Sequence, residues 1–187
     1  MRRMLRDLVL PIVVAFALAF VLQAAVAKPY EIPTGSMRPT ISEQDRIIAN
    51  RLVYRFRDIA RGDIVVFTPP ASAIAACRPP AGVPFVKRVV GVAGDRVDVV
   101  NRRTLVNGRE FVVPGADPPQ YEAHFPVVPE GHLLLLGDNR NASCDSHLWG
   151  SSWNGDARPN DAFAPVGNVI GQAEITYWPP GRLGFLD

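Results

Sequence analysis

An all-β domain behind one N-terminal apolar helix is what this sequence predicts, on three observations. Apolar runs of four to eight residues recur between turn signals from Arg46 onward. None of them keeps a 3.6-residue period long enough to make a convincing helix. Residues 8–27, by contrast, contain no charged side chain at all. With 187 residues, 48% of them hydrophobic and 20% charged, the chain has ordinary globular composition and room for one domain plus an appendage.

The appendage comes first. Twenty residues at ~1.5 Å rise make about 30 Å of helix, the thickness of a bilayer hydrocarbon core. Arg2, Arg3 and Arg6 precede the segment and only Lys28 lies close behind it, so the positive-inside rule puts the N-terminus in the cytoplasm. The rival reading is a cleaved secretory signal, because Ala25-Val26-Ala27 has the small-x-small form of a cleavage site. A signal's apolar region usually runs ~7–15 residues, shorter than this one, which favours a retained anchor. Both readings export the β domain. The expected organisation is a cytoplasmic N-terminus at 1–7, a transmembrane anchor at 8–27 and an exported β domain at 28–187.

Strands are expected at 46–54, 63–67, 85–92, 96–100, 104–106, 110–113, 132–136 and 169–178, each an apolar or alternating run bounded by Gly, Pro, Asn or Asp. Asn107-Gly108 marks a hairpin between the fifth and sixth, because both central positions of a type I′ turn need positive φ. Segments 68–84, rich in Pro and Ala, and 151–165, rich in Gly, Asn, Asp and Pro, read as loops framing a site on the β scaffold.

Twenty basic and 18 acidic residues are spread along the chain for a net charge of +2. Without a basic stripe, nucleic acid is not an expected partner. Cys77 and Cys144 define no zinc site or disulfide framework, but in an exported domain they are able to pair; the bland alternative is two buried thiols.

Chemistry concentrates in three segments. Ile32-Pro33-Thr34-Gly35-Ser36-Met37-Arg38-Pro39-Thr40 presents a serine on a bend braced by Gly and Pro, and Phe85-Val86-Lys87-Arg88-Val89-Val90-Gly91 sets a lysine in an apolar strand. Serine is a weak nucleophile until a base takes its proton, and a lysine can be that base when burial lowers its pKa. At its reference pKa of ~10.4 a lysine is neutral in only about one molecule in 2,500 at pH 7, so the site must depress it. Strand alternation puts Phe85, Lys87 and Val89 on one face and Val86, Arg88 and Val90 on the other, so one basic residue is expected to face inward. The third segment, Leu136-Gly137-Asp138-Asn139-Arg140-Asn141-Ala142-Ser143-Cys144-Asp145-Ser146-His147-Leu148-Trp149-Gly150, is too dense in polar turn-formers for core. Each segment has a dull reading, respectively a turn serine, a solvated edge-strand lysine and a surface loop.

Together with Arg61-Gly62-Asp63 and Gly91-Val92-Ala93-Gly94-Asp95, these segments resemble, in order and spacing, the signature boxes of bacterial type I signal peptidases, from about Tyr30 to the C-terminus. The resemblance implies a mostly antiparallel, barrel-like β domain of the signal-peptidase type. It implies a membrane-bound Ser-Lys endopeptidase that removes signal peptides from exported preproteins, with Ser36 as nucleophile and Lys87 as general base, and with no metal and no cofactor. By motif position the Ser36 N–H and the Thr34 hydroxyl form the oxyanion hole, Ser143 orients the Lys87 amine, and Asp145 holds the loop through a charged pair. Tyr30, Ile32, Met37, Ile41, Phe85 and Val86 line an apolar groove for small side chains one and three residues before the cut; the dull reading is that they pack the core. Signal peptides, the lipid bilayer and the secretion machinery are the implied partners.

His147 departs from the commonest pattern, which has arginine there. Asp-Ser-His-x-Trp-Gly and Tyr177-Trp178-Pro179 are similar to the cyanobacterial and plastid branch, which adds the thylakoid membrane to the cell membrane as an expected location. A histidine near pKa ~6.5 is mostly neutral at pH 7, so Arg88 or Arg140 is expected to stand in as the partner of Asp145. A Ser-His-Asp arrangement through His147, with His124 and His132 as the other histidines, is the mechanistic alternative.

Overall fold

Runs such as Ile64-Val65-Val66-Phe67 and Leu133-Leu134-Leu135-Leu136 are apolar at every position rather than at alternate ones, the pattern of strands covered on both faces. The computed structural model of the chain describes residues 9–14, 26–150 and 161–186. Its strands are β1 (Ala27–Glu31), β2 (Arg46–Asn50), β3 (Ile64–Phe67), β4 (Phe85–Gly91), β5 (Val97–Val100), β6 (Arg103–Val106), β7 (Arg109–Glu110), β8 (Ala123–His124), β9 (His132–Leu136), β10 (Ala164–Pro165), β11 (Val169–Trp178) and β12 (Gly184–Phe185). The larger sheet runs β1-β2-β11-β3-β4-β9-β10, with β12 on β11, and a smaller one runs β7-β6-β5-β8. All their pairings are antiparallel.

Alternation distributes the apolar side chains among separate core clusters. Ile64 and Val66 of β3 join Ile32, Met37, Ile41, Ile47 and Ala173 on one side. Val65 and Phe67 join Val89, Leu133, Leu135 and Trp149 on the other. Leu134 and Leu136 of β9 pack with Val90, Val97, Val99, Phe125 and Phe163 beneath the smaller sheet. The strand that carries Lys87 thus runs through the middle of the molecule rather than along its rim.

Several sequence expectations need correction. The first predicted strand stops at Asn50 instead of 54, because the Asn50 Oδ1 accepts the N–H groups of Leu52 and Val53 at 3.0 and 3.2 Å and starts a turn. The 68–84 segment is not all loop: Ala71–Cys77 is a helix, begun after Pro70 and ended by Arg78 in the left-handed region at φ 47°. Its alanines favour helix, and seven residues are too few to display a period. Of the predicted 110–113 strand only Glu110 lies in a strand, β7, which begins one residue earlier at Arg109. Strands β1, β8, β10 and β12 escaped the sequence reading because each is only two to five residues long, β10 within the supposed loop 151–165, and β8 and β10 pair with segments more than 20 residues away. The Asn107-Gly108 turn has φ of 52° and 76°, as its hairpin requires.

The predicted cytoplasmic segment 1–7 and most of the span 8–27 lie outside the described residues. Residues 9–14 are helical, and no helix among the described residues is long and apolar enough to cross a membrane.

A disulfide joins Cys77, at the end of the helix, to Cys144 in the polar loop, with Cα atoms 5.9 Å apart and a sequence separation of 67. It ties the segment leading into β4 to the loop after β9. Closing a loop of that length removes about 4 kcal/mol of unfolded-chain entropy. Reduction is therefore expected to lower the melting temperature by about 10 °C, measured by thermal denaturation with and without reductant; an unchanged transition would show that the bond adds nothing.

Candidate active site

Ser36 lies in a one-turn 3-10 segment, Gly35–Met37, preceded by Thr34 in extended conformation. Met37 is buried and anchors the turn in the core. The Arg38 N–H closes the turn on the Gly35 carbonyl at 3.1 Å, and the Ile41 N–H bonds the Met37 carbonyl at 2.9 Å. Held this way, the serine stands partly exposed at the edge of a packed block.

Lys87 comes to it from β4, where it pairs with Val65. It is only 4% exposed. Nζ donates to Ser36 Oγ at 2.8 Å and to the Val86 carbonyl at 2.9 Å, and lies 5.3 Å from the centre of the Phe85 ring. Burial drives its pKa from 10.5 down to about 8, although the negative charges of Asp145 and Asp138 oppose the shift. At pH 7 about one molecule in ten then carries a neutral amine next to the serine hydroxyl, against about one in 2,500 for a free lysine. The Thr34 Oγ1 lies 3.5 Å from Ser36 Oγ on the exposed side.

Arg88, expected to point the opposite way from Lys87, is also buried, at 5% exposure. It forms a two-pronged pair with Asp138, Nε to Oδ1 and a terminal nitrogen to Oδ2, both 2.8 Å. A guanidinium so desolvated requires such a planar partner. Thr40 Oγ1 donates to the same carboxylate at 2.5 Å, fastening the end of the serine segment to the polar loop.

The partner of Asp145 is a correction to the sequence reading, since neither arginine takes it. Arg88 is committed to Asp138, and Arg140 donates through Nε to the Gly137 carbonyl at 3.1 Å and through a terminal nitrogen to Thr104 Oγ1. Asp145 instead accepts from the Gly137 N–H at 2.8 Å and the His147 N–H at 3.2 Å, and meets the His147 Nδ1 at 2.7 Å. His147 is itself stacked on Tyr121, ring centres 4.1 Å apart. Asp145 is thus met by a histidine only two residues along the chain. His124 pairs with Asp98 on the smaller sheet and His132 with the Glu130 carbonyl.

The Ser143 hydroxyl is buried with no hydrogen-bond partner among the described residues, so the expected bond to the Lys87 amine is not formed. Its Oγ nevertheless borders the site: a Cβ built on Gly137 would fall 2.2 Å from Ser143 Oγ and 2.4 Å from the Ser36 carbonyl oxygen. Of the expected groove residues, Ile32, Met37 and Ile41 are buried in one cluster, with Tyr30 and Val86 packed against it. Phe85 packs with a different cluster. Among the described residues no group of His, Cys, Asp and Glu is arranged to hold a metal ion.

Two contacts at the site were not legible in the sequence. Tyr121 sits in a Pro-rich stretch with no motif to flag it, and meets His147 only through folding. Asn139 was visible within the third segment but had no assigned contact; its backbone N–H donates to the Ser36 carbonyl at 3.1 Å and its Nδ2 to the Gly35 carbonyl at 3.0 Å.

Residues 5–178 match the family described as "Signal peptidase, peptidase S26". The chain is 38% identical over 170 residues to "Signal peptidase I" of Leptolyngbya laminosa, covering 90% of this chain and 77% of that protein. It is 39% identical over 177 residues to "Probable signal peptidase I-2" of Synechocystis, covering 93% and 73%. It is 37% identical over 173 residues to "Probable thylakoidal processing peptidase 2, chloroplastic" of Arabidopsis thaliana, covering 90% of this chain and 43% of that longer protein.

Proposed function

The chain belongs to the signal peptidase family, peptidase S26, and we propose accordingly that it cuts signal peptides from exported preproteins with Ser36 as nucleophile and Lys87 as general base. The observation that carries the reading is the 2.8 Å contact between a buried Lys87 Nζ and Ser36 Oγ. A neutral Lys87 amine accepts the Ser36 hydroxyl proton as Oγ attacks the scissile carbonyl carbon. The oxyanion that forms is met by the Ser36 N–H and the Thr34 hydroxyl. The Lys87 ammonium then protonates the departing amine of the mature protein, leaving the signal peptide esterified to Ser36. Lys87, neutral again, takes a proton from the water that attacks the ester and returns it to Ser36 Oγ as the ester breaks, and the signal peptide leaves as an acid that gives its proton to solvent.

Asp145, clamped by His147 and by the Gly137 N–H, holds the loop against the serine turn, and Ser143 supplies a buried hydroxyl at its border. Tyr30, Phe85 and Val86, all partly exposed, form the groove for small side chains, backed by Ile32, Met37 and Ile41. The segment 8–27 anchors the chain with 1–7 in the cytoplasm and 28–187 across the cell or thylakoid membrane. The Cys77–Cys144 disulfide supports an oxidising, extracytoplasmic setting.

Purified full-length protein in detergent micelles, incubated with a preprotein carrying alanine one and three residues before the cut, tests the reading by N-terminal sequencing of the product. Cleavage after alanine is expected; equal cleavage after leucine or phenylalanine would overturn the groove. The pH profile is a second check. Only the neutral amine serves as base, so kcat/KM should rise tenfold per pH unit below about pH 8 and level off above it. A rate flat from pH 6 to 9 would remove Lys87 as the base.

A further inference from the structure

An oxyanion hole works only if its donors point at the place where charge develops, and the Ser36 N–H has no side chain with which to be aimed. Its direction is set by the plane of the Gly35–Ser36 peptide. In a trans peptide the C=O and N–H point in opposite directions within one rigid plane, so whatever grips the Gly35 carbonyl also steers the Ser36 N–H. Two groups do so, the Arg38 N–H at 3.1 Å within the turn and Asn139 Nδ2 at 3.0 Å from the polar loop. Asn139 also donates its backbone N–H to the Ser36 carbonyl at 3.1 Å, which fixes the next peptide plane. One residue therefore holds both planes that flank the Ser36 Cα, 104 positions away from Gly35 in sequence.

We infer that Asn139 is a positioning residue that aims the Ser36 N–H into the oxyanion hole. The inference rests on the peptidase reading. Only an amide fits the role at this site: it donates to a carbonyl, where a carboxylate of the same shape would oppose oxygen to oxygen. The bond to Ser36 comes from the Asn139 backbone N–H, which every residue but proline supplies, so side-chain variants isolate the grip on Gly35. Lys87 takes part in neither of these bonds.

The test is Asn139→Asp and Asn139→Ser in the full-length protein, assayed on a peptide with alanine one and three residues before the cut and with the matching peptide boronate. The boronate's tetrahedral oxygen occupies the oxyanion position. Both variants should lose about 10²-fold in kcat, the scale of one misplaced oxyanion donor, with KM within about twofold of wild type. The pH midpoint of the uncharged Asn139→Ser should not move, whereas the new carboxylate of Asn139→Asp raises it as Asp145 and Asp138 already do; kcat is therefore read on the alkaline plateau, and boronate affinity should fall by the same factor in both variants. A merely structural role would instead lower the melting temperature and leave the boronate-to-substrate affinity ratio unchanged. Wild-type kcat, a loss carried in KM, a displaced pH midpoint in Asn139→Ser or unaltered boronate affinity would each overturn the inference. Ser36→Ala, run alongside, separates the two levels: if it is inactive while Asn139→Asp is normal, the inference alone fails, and if it remains active the peptidase reading fails with it. Should Asn139→Asp not melt cooperatively, Asn139→Ser carries the same outcomes.

Discussion

Ser36→Ala and Lys87→Met are each expected to lower preprotein cleavage by at least about 10⁴-fold, and the double variant by no more than either one alone, because a nucleophile and its base act as a unit. Initial rates on a purified preprotein measure both losses. The two variants should part company in stability. Lys87 is held in the fold at a pKa of about 8 against an ordinary 10.5, and each unit corresponds to about 1.4 kcal/mol. The folded value lies below the unfolded one, so the penalty for burying the ammonium is present in full below about pH 8. It is relieved as pH rises toward 10.5, where the unfolded chain holds the proton and the folded one does not. Lys87→Met keeps the volume and removes the charge. It should therefore be more stable than wild type by about 3 kcal/mol at pH 7, an advantage that shrinks over that window. Ser36→Ala, at a partly exposed position, should melt near the wild-type temperature. A Lys87→Met protein with near-normal rate would overturn the base assignment, and a His147→Ala protein as inactive as Ser36→Ala would favour a histidine base instead.

Gly137→Ala should cost at least about 10²-fold in kcat, the scale of a misplaced reacting group, although glycine to alanine is the smallest side-chain enlargement available. The added Cβ would lie 2.2 Å from Ser143 Oγ, 2.5 Å from Ser143 Cβ and 2.4 Å from the Ser36 carbonyl oxygen. A hydroxyl can rotate away, but a backbone carbonyl fixed on both sides cannot move without carrying the serine with it. Overpacking of this sort also destabilises by about 1–3 kcal/mol. Gly167→Ala is the control, since nothing lies within 4 Å of its Cβ position. The comparison is made by kcat at saturating substrate and by thermal melting. Equal activity of the two alanine variants would show that the polar loop does not press on the serine turn.

Much of the scaffold was legible because its signals are local. The strands at 132–136 and 169–178 were readable with their final bounds, each being long enough to show its pattern before a turn residue ends it. The Asn107-Gly108 turn was readable because positive φ at two successive positions selects these residue types. Strands of two residues, such as β8 and β12, carry no pattern and exist only because a partner strand offers them bonds. The Ala71–Cys77 helix was hidden by its Pro-rich flanks, and it is stabilised by the burial of Ala73 and the bond from Cys77 rather than by any period of its own.

Within the site, local rules of turn and strand were enough to place the available chemistry: a serine on a braced bend, a lysine in an apolar strand and a loop rich in polar side chains. Which of these groups meet was left to the packing of distant segments. Folding joined Lys87 to Ser36 across 51 positions, Arg88 to Asp138 across 50, and Asn139 to Gly35 across 104. It also gave Asp145 to His147 instead of an arginine. The reason is that a buried charge or carbonyl takes whichever partner the packed sheets bring within about 3 Å once water is gone, and that distance is set by the whole fold rather than by any segment of it.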